Sequence, residues 1–457
     1  MQVKKTPGAL RLGLMAASCS LLGGRALADA PAPAPPAESP SDDEQPWQFD
    51  TALLYFKENQ QRANGTTPVV SLRKDLGGER VFTGSFEFAS LSGGSPNGAV
   101  PQKKLQTFAT ASGTRLNNPD GTPITYTTPS GKVVAQLATL ALYQIQPYQQ
   151  PIDPNYHEQR LAFDAGWSQP IAVGTHANYG GRIENDSDCL ALGVNGGLSH
   201  DFNDRATTLG LEAKLESDRV KPPGGEPEAG SDYRLTQKYG SRGKWGNGLM
   251  LSLTQVMSSR WIANLNYAFE HQHGYLNNPY KIVSVLDGTG AVTDWVFESR
   301  PGKRTTQSVF WGNKVAFGST VMDLSFRHGK DDWGILADSA DLKLRFNVGS
   351  EDIYLEPHLR WYHQSQANFY RLYLGASQPE PAYMSSDPAL ANFVAHTIGL
   401  KLGFLLQDQA ELTFRLDLYT QTPKYRTSYG DEVNLQGLDL NPSLRTVLFQ
   451  VGWRHGF

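Results

Sequence analysis

The last segment of the chain, Leu444 to Phe457, constrains the fold more than any other stretch. It reads LRTVLFQVGWRHGF, and in an extended strand its successive side chains face opposite sides. One face is mostly polar, and the other is formed by Val447, Phe449, Val451, Trp453 and Phe457. Such a strand fits the wall of a membrane barrel, with lipid on one side and water on the other, or the edge of a soluble sandwich.

Composition favours the barrel over the sandwich. The 457 residues include 45 Gly and 28 Pro, and 11% of them are aromatic; the mean hydropathy is -0.42. Beyond residue 28 no run approaches the roughly 18 apolar residues that a membrane helix requires. In a barrel only alternate residues of each strand meet lipid, so a polar average composition is compatible with membrane insertion.

The first 28 residues are predicted to be a signal peptide. Lys4 and Lys5 precede a short apolar stretch, and Ala26 to Ala28 form an A-x-A cleavage site. Lipoprotein processing at Cys19 is the less favoured alternative, because the residues before it make a poor lipobox. After cleavage Cys189 is the one remaining cysteine, so an intramolecular disulfide is not expected.

Residues 29–46 are rich in Pro, Ala and acidic residues, and we expect an extended periplasmic tail there. Residues 47–457 are then assigned to the barrel. The formal net charge of the whole chain is -4 and no block of basic residues stands out. Nucleic acid is therefore not an expected partner.

From Trp47 onward, alternating segments separated by turn residues predict an all-β, transmembrane antiparallel barrel of about sixteen strands. Fourteen remain possible if weak strands near Val69 or Ala172 merge with their neighbours. Counted back from the final strand, the short connections all fall at the periplasmic end: Gln407–Gln409, Gly349–Glu351, Gly318–Ser319, Ser258–Ser259, Phe202–Asp204 and Gln169–Ile171. The long ones all fall at the outer end, as outer-membrane barrels require: Tyr425–Leu444, Gln366–Asn392, Gly274–Gly302, Arg219–Lys244 and Ser92–Glu158.

The alternation also predicts which side chains face the lumen. In Ala410 to Thr422, Leu412, Phe414 and Leu416 share one face, which is expected to meet lipid. The charged side chains of this and neighbouring strands are expected to line the lumen: Asp341, Lys343, Arg345, Glu356, His358, Arg360, Glu411, Arg415 and Asp417. Their mixed signs favour a lattice of ion pairs that braces the wall over a selectivity filter, which more often shows one sign.

Several sequence boxes resemble a family of outer-membrane proteins of Gram-negative bacteria that is grouped as a domain of unknown function. They are GGSPNGA at 93–99, SHDFNDRATTL at 199–209, GYLNNPYK at 274–281, RPGKR at 300–304, DDWG at 331–334, LRWYHQSQANFY at 359–370 and SSDPALANF at 385–393. The resemblance implies an outer-membrane barrel without an established activity. The final strand similarly resembles those recognised by the barrel assembly machinery, with Phe457 as the terminal aromatic signal.

Two of these boxes, GGSPNGA and GYLNNPYK, lie in predicted outer loops. Two interpretations of them are open. Folded into the lumen, they would form a constriction or a ligand cradle from Ser95, Pro96, Asn97, Tyr275, Asn278 and Tyr280. Alternatively, their Pro and Gly residues only set turn geometry. Loops of this length exceed what connection alone needs, so we expect some inward packing.

The sequence gives little support for a metal site or a catalytic site. His271 and His273 share a strand face, but no third ligand is identifiable. Asp186 and Asp188 are candidate Ca²⁺ ligands, although exposed turn acids are the commoner case. No GxSxG, HExxH or paired CxxC motif is present, so we expect neither an enzyme nor a cofactor.

The first functional hypothesis is a porin-like or transporter-like outer-membrane channel for an unidentified small solute. The second is a non-conducting scaffold barrel that docks a surface or periplasmic partner, for example a lipoprotein. A membrane-embedded hydrolase is the third. Outer-membrane lipid and the barrel assembly machinery are expected partners in each case.

Overall fold

The computed structural model describes residues 47–60, 62–109, 125–127, 133–135, 142–154, 156–222, 224–234, 236, 238–406, 410–424 and 432–456. The predicted signal peptide, the predicted tail at 29–46 and the terminal Phe457 lie outside these residues.

Within the described part of the chain, sixteen antiparallel strands form one closed barrel in sequence order. The strands are β1 (Gln48–Glu58), β2 (Asn64–Asp75), β3 (Val81–Ser92), β4 (His157–Ala172), β5 (Thr175–Asp186), β6 (Cys189–Phe202), β7 (Thr207–Val220), β8 (Arg242–Ser258), β9 (Trp261–Gly274), β10 (Lys303–Phe317), β11 (Thr320–Asp331), β12 (Leu336–Asn347), β13 (Ile353–Gln364), β14 (Phe393–Leu405), β15 (Glu411–Pro423) and β16 (Leu444–Gly456). The predicted fold class is confirmed, with the higher of the two strand counts.

The barrel closes between its first and last strands. β16 pairs antiparallel with β1 over its length, from Gln48 opposite Gly456 to Glu58 opposite Thr446. The alternation in the final segment is therefore the pattern of a wall strand with neighbours on both edges. Closure leaves no unpaired edge in the sheet, a requirement for strands that cross hydrocarbon.

The outer face of the barrel is apolar. On β16, Phe449 and Trp453 are 42% and 41% exposed, and on β14 Ile398 is 62% exposed. Their neighbours along each strand point inward, among them the buried Arg454. A continuous apolar exterior with ionic side chains inside is the inverse of a soluble protein, and it identifies the barrel as membrane-spanning.

The two ends of the barrel differ as the sequence predicts. One end has only short connections, namely 76–80, 173–174, 203–206, 259–260, 318–319, 348–352 and 406–410. The predicted turn at Gln169–Ile171 is wrong by a few residues. β4 continues past Pro170 because a shift in register next to this proline lets the ladder resume at Ala172.

The other end carries five long connections, at 93–156, 221–241, 275–302, 365–392 and 424–443. Their described residues form what we call the loop cap. Short strands pair within it: Gln106–Ala109 with Leu142–Ile145, Thr125–Thr127 with Val133–Ala135, Glu226–Pro227 with Lys238–Tyr239, and Ile282–Leu286 with both Val292–Phe297 and Leu374–Gly375. A short 3₁₀ helix, Pro388–Leu390, lies in the fourth connection. Among the described residues, no helix has the length and apolar character to cross a membrane.

Candidate functional site

The loop cap has its own hydrophobic core. Phe108 of the first connection packs against Trp295 of the third, with ring centroids 5.1 Å apart. Tyr233 of the second connection and Leu435 of the fifth join the same core. Because these connections leave the barrel from different sides and meet in one core, the cap spans the mouth of the lumen.

A buried ionic cluster holds the cap together. Arg300 lies 2.7 Å from Glu298 (Nε to Oε1) and 2.7 Å from Asp387 (Nη2 to Oδ2). All three side chains are at most 2% exposed. The guanidinium thus joins the third connection to the fourth through charge-assisted hydrogen bonds, which are about twice as strong as hydrogen bonds between neutral groups.

Lys281 ties the first connection to the same cluster. Its ammonium donates to the Ser95 hydroxyl at 2.5 Å and to the Pro96 carbonyl at 2.6 Å. It also lies 3.9 Å from Asp387. The SPNGA box is therefore held by a lysine at the end of the GYLNNPYK box.

The remaining acceptors of the cluster are satisfied locally. Glu298 accepts hydrogen bonds from the Ser385 hydroxyl and from the backbone N–H of Asn278, each at 2.5 Å. Asp387 accepts from the backbone N–H of Ala389 at 3.2 Å and thereby caps the 3₁₀ helix. We call Lys281, Glu298, Arg300 and Asp387, with these partners, the cap latch.

The pKa values of the cap latch follow from burial and from mutual charge. Burial raises the pKa of Glu298 and lowers the pKa of Lys281. Burial also acts to raise the pKa of Asp387, but Lys281 and Arg300 outweigh it and hold the carboxyl below its ordinary value. Each charge therefore depends on the others, and removal of one leaves the rest poorly compensated.

The predicted constriction residues lie in the cap. Ser95, Pro96 and Asn278 meet at the cap latch, as described above. The side-chain amide of Asn97 donates to the Tyr143 hydroxyl at 3.2 Å, and the backbone carbonyl of Asn97 accepts from the backbone N–H of Ile282. The other two members lie apart: the ring of Tyr280 packs on that of Tyr156, and Tyr275 is buried beside Arg242.

Sequence reasoning missed the charged residues that organise these boxes. Lys281, Arg300 and Asp387 each stand inside a box that the family resemblance singled out. Charged residues next to Pro and Gly ordinarily mark exposed turns. The available signal was that three such boxes carry complementary charges, Lys281 and Arg300 against Asp387.

One cavity between the loops of the cap is small. It has a volume of about 20 Å³ and lies where Arg62, Pro96, Tyr370 and Pro442 meet. Such a volume holds one water molecule rather than a solute. The described loops are therefore closely packed at this point.

All nine predicted lumen residues lie on the inner face of β12 to β15. His358 is 3% exposed and lies between two carboxylates, 3.0 Å from Asp341 and 3.2 Å from Asp417. Arg415 binds the far oxygen of Asp417 at 2.6 Å, and Lys343 lies 3.6 Å from Asp341. These residues form a lattice along the wall, with charges of opposite sign side by side.

The lower part of the same wall is organised around Tyr354. The guanidinium of Arg345 lies 3.5 Å from its ring centroid and the ammonium of Lys401 lies 5.4 Å away. The Tyr354 hydroxyl donates to Glu411. A Cβ on Gly403 would overlap the ring, so the absent side chain lets Tyr354 lie flat on the wall instead of projecting into the lumen.

Two further predicted lumen residues, Glu356 and Arg360, are half-buried on β13. Arg360 stands opposite Asp341 in the β12–β13 register. Ion pairs also link β15, β16 and β1, because Arg454 contacts Glu411 at 2.9 Å and Asp50 at 2.5 Å.

The candidate metal ligands have other partners. His271 and His273 stack with ring centroids 6.1 Å apart, and His271 lies within hydrogen-bond distance of the Thr305 hydroxyl. Asp186 accepts from the backbone N–H groups of Asp188 and Cys189, and so closes the turn between β5 and β6. Within the ranges that the structure describes, no three His, Cys, Asp or Glu side chains are grouped as metal ligands.

A comparison with curated proteins found no match. Among solved structures, a ferric enterobactin receptor variant from Pseudomonas aeruginosa matches with a TM-score of 0.41 and 8% identity, over 85% of this chain and 57% of that one. This chain therefore spans little more than half the length of the receptors it matches.

Two further solved structures are covered almost completely. A BenF-like porin from Pseudomonas fluorescens Pf-5 matches with a TM-score of 0.40 and 10% identity, over 91% of this chain and 99% of that one. OccK2 of Pseudomonas aeruginosa, solved in complex with glucuronate, matches with a TM-score of 0.39 and 9% identity, over 92% and 100%.

A family match covers nearly the whole chain. Residues 12–455 match the family described as "Protein of unknown function (DUF3570)". The match includes every box listed above as well as the barrel strands. The chain belongs to this family of proteins of unknown function.

Proposed function

We propose that the protein is an outer-membrane channel that passes a small polar solute, with the loop cap as its gate. The observation that carries the proposal is the ionic inner wall. Charged side chains line the inside of β12 to β16, whereas the outer face of the same strands is apolar. Such a wall needs water beside it, because hydrocarbon would cost about 2–4 kcal/mol for each Arg or Lys.

The arrangement of the wall side chains supports a water-filled lumen. Ion pairs run along the wall between neighbouring strands, and Tyr354 lies flat over Gly403. Asp417 lies over Gly399 in the same way. Side chains that lie against the wall in this manner project less far toward the axis of the lumen.

The loop cap supports a gate rather than a permanently open mouth. Three connections meet at the cap latch, and each contributes atoms that the others need. Opening requires Arg300 to part from Asp387, so the latch has two states that solvent and ligands can bias.

Conductance of the refolded protein in planar bilayers tests this proposal. We expect unit currents that flicker between closed and open levels in the native protein. Arg300→Gln should raise the fraction of time spent open, whereas Arg371→Gln, an exposed arginine in the same cap, should behave like the native protein. Silent bilayers for all three proteins would reject a channel.

The packed cap also favours a second candidate function, a barrel that docks a partner and conducts little. In that case the cap is a binding surface with a fixed shape. Silent bilayers together with a protein that co-purifies after mild crosslinking, for example a lipoprotein, would favour this candidate.

We further propose that Phe457 and the strand before it direct insertion by the barrel assembly machinery. The pairing of β16 with β1 supports this role, because the final strand completes the closure. Replacement of Phe457 by Asp should lower the amount of protein in outer-membrane fractions while transcript levels stay unchanged.

A further inference from the structure

We propose that the lumen selects small dipolar solutes, molecules that carry an ammonium and a carboxylate group together. The inference rests on the proposed channel function and specifies its substrate class. Its basis is a separation of net charge between two opposing walls of the barrel.

The first wall is acidic. The inner positions of β5, β6 and β7 follow from their registers and from the exposed apolar residues between them. These positions hold two cations, Arg182 and Lys214. They hold six carboxylates, namely Glu184, Asp186, Asp201, Glu212, Glu216 and Asp218.

The second wall is basic. It consists of β12, β13 and β14, which lie seven strands further round the sixteen-strand ring and hence across the lumen. The inner positions of these strands hold two carboxylates, Asp341 and Glu356. They hold four cations, namely Lys343, Arg345, Arg360 and Lys401.

The two walls also differ in which charges remain available to a solute. In the described part of the chain, Arg345, Arg360 and Lys401 have no carboxylate oxygen within 4.0 Å. On the acidic wall, Glu212 accepts an amide hydrogen bond from Asn195, at 3.3 Å. The basic wall thus offers donors for a carboxylate, and the acidic wall offers an acceptor for an ammonium group.

Opposite net charges on facing walls set up an electric field across the lumen, and low-dielectric walls concentrate it. A solute without charged groups gains little free energy from such a field. A monovalent ion is attracted by one wall and repelled by the other. A dipolar solute that turns its ammonium toward β5–β7 and its carboxylate toward β12–β14 is stabilised at both ends.

Uptake of two isomers into proteoliposomes tests the inference. Alanine and lactamide have the same formula and nearly the same size, but only alanine carries an ammonium and a carboxylate group at neutral pH. We expect alanine to enter about tenfold faster than lactamide. Salt at about 1 M, where the Debye length is about 3 Å, should remove most of this preference.

Substitutions identify the residues that cause the preference for alanine over lactamide. Lys401→Gln and Glu212→Gln should each lower the ratio of alanine to lactamide uptake. Lys330→Gln, on the outward-facing and exposed side of β11, is the matched control and should keep the native ratio. Arg300→Gln should speed both isomers and preserve their ratio.

Different uptake results would reject this inference and the channel proposal. Equal uptake of both isomers, with no effect of Lys401→Gln or Glu212→Gln, overturns the substrate class and leaves a channel that sorts by size. Entry of neither isomer, in the native protein or in Arg300→Gln, overturns both proposals.

Discussion

Arg300 and Asp387 lie 2.7 Å apart inside the loop cap although 87 residues separate them in the sequence. The pair joins the connection after β9 to the connection after β13, and both side chains are withdrawn from solvent. The closure of the mouth therefore depends on a contact that neither connection makes alone.

Loss of this guanidinium should open the cap. Arg300→Gln leaves Glu298 and Asp387 as adjacent buried carboxylates, and removal of one partner from such a cluster costs about 3–5 kcal/mol. Limited proteolysis should cut the third and fourth connections of the variant faster than in the native protein. The barrel should keep its heat-modifiable migration on gels, because the latch contributes nothing to the strand ladder.

Arg371→Gln is the control for this change, since Arg371 is exposed in the fourth connection, which also carries Asp387. Equal protease resistance in Arg300→Gln and Arg371→Gln would show that the latch does not hold the cap closed.

Acidification should stabilise the cap through Glu226. Burial raises the pKa of this carboxyl from 4.5 to about 7, and Arg242 at 3.8 Å offsets only part of the effect. The folded cap thus retains a proton that the open cap releases, so stability is present below the unfolded pKa and is lost as pH rises through about 7.

Hydrogen exchange measures this dependence. After correction for intrinsic rates, peptides of the second connection should be better protected near pH 5 than near pH 8. Glu226→Gln should be well protected at both values, whereas Glu228→Gln, an exposed neighbour, should keep the native dependence. A flat native profile would contradict the assignment.

A larger residue at Gly403 should narrow the lumen. The Tyr354 ring occupies the space that a side chain at position 403 would fill, so Gly403→Val forces the ring away from the wall. We expect a smaller unit conductance and a stability loss of about 1–3 kcal/mol. Gly246→Ala, where the new atom would meet its nearest neighbour at 3.7 Å, should change neither quantity.

A charged residue should be destabilising on the apolar outer face. It should be tolerated at the next position along the strand, which faces the lumen. Phe449 is 42% exposed on the outer face, and Phe449→Arg should cost about 2–4 kcal/mol if hydrocarbon surrounds it. Gln450→Arg, on the inner face, should be tolerated. Denaturant titration in lipid bilayers compares the two, and equal stabilities would mean that lipid does not cover this face.

The barrel was predictable from the sequence because each strand is specified by a pattern of neighbouring residues. A period of two, repeated strand after strand, identifies both the wall and the side that faces lipid; Leu416 and Arg415 already show the rule. The parity of long and short connections then follows from the strand order. The predicted turn at Gln169–Ile171 was wrong because a register shift beside Pro170 lets β4 continue, and a proline at this point fits a strand end as well as a bulge.

The cap was not predictable in the same way. Its core joins Phe108, Trp295 and Leu435, which come from three different connections, and no short pattern relates them. Ser95 and Asn278 were named from the sequence as inward-packing candidates, and both lie at the cap latch. Their partners Lys281 and Glu298 were not, because burial of a charge is decided by contacts that are distant in sequence.

The shared core of the five connections has a consequence for how the cap is recognised and how it can vary. Surface loops ordinarily accept insertions and substitutions one at a time. Here a change in the volume of Trp295 has to be accommodated by Phe108 and Leu435 on other connections. An antibody raised against the folded cap will therefore bind a discontinuous epitope. Synthetic peptides of single connections will not compete with the cap for this antibody.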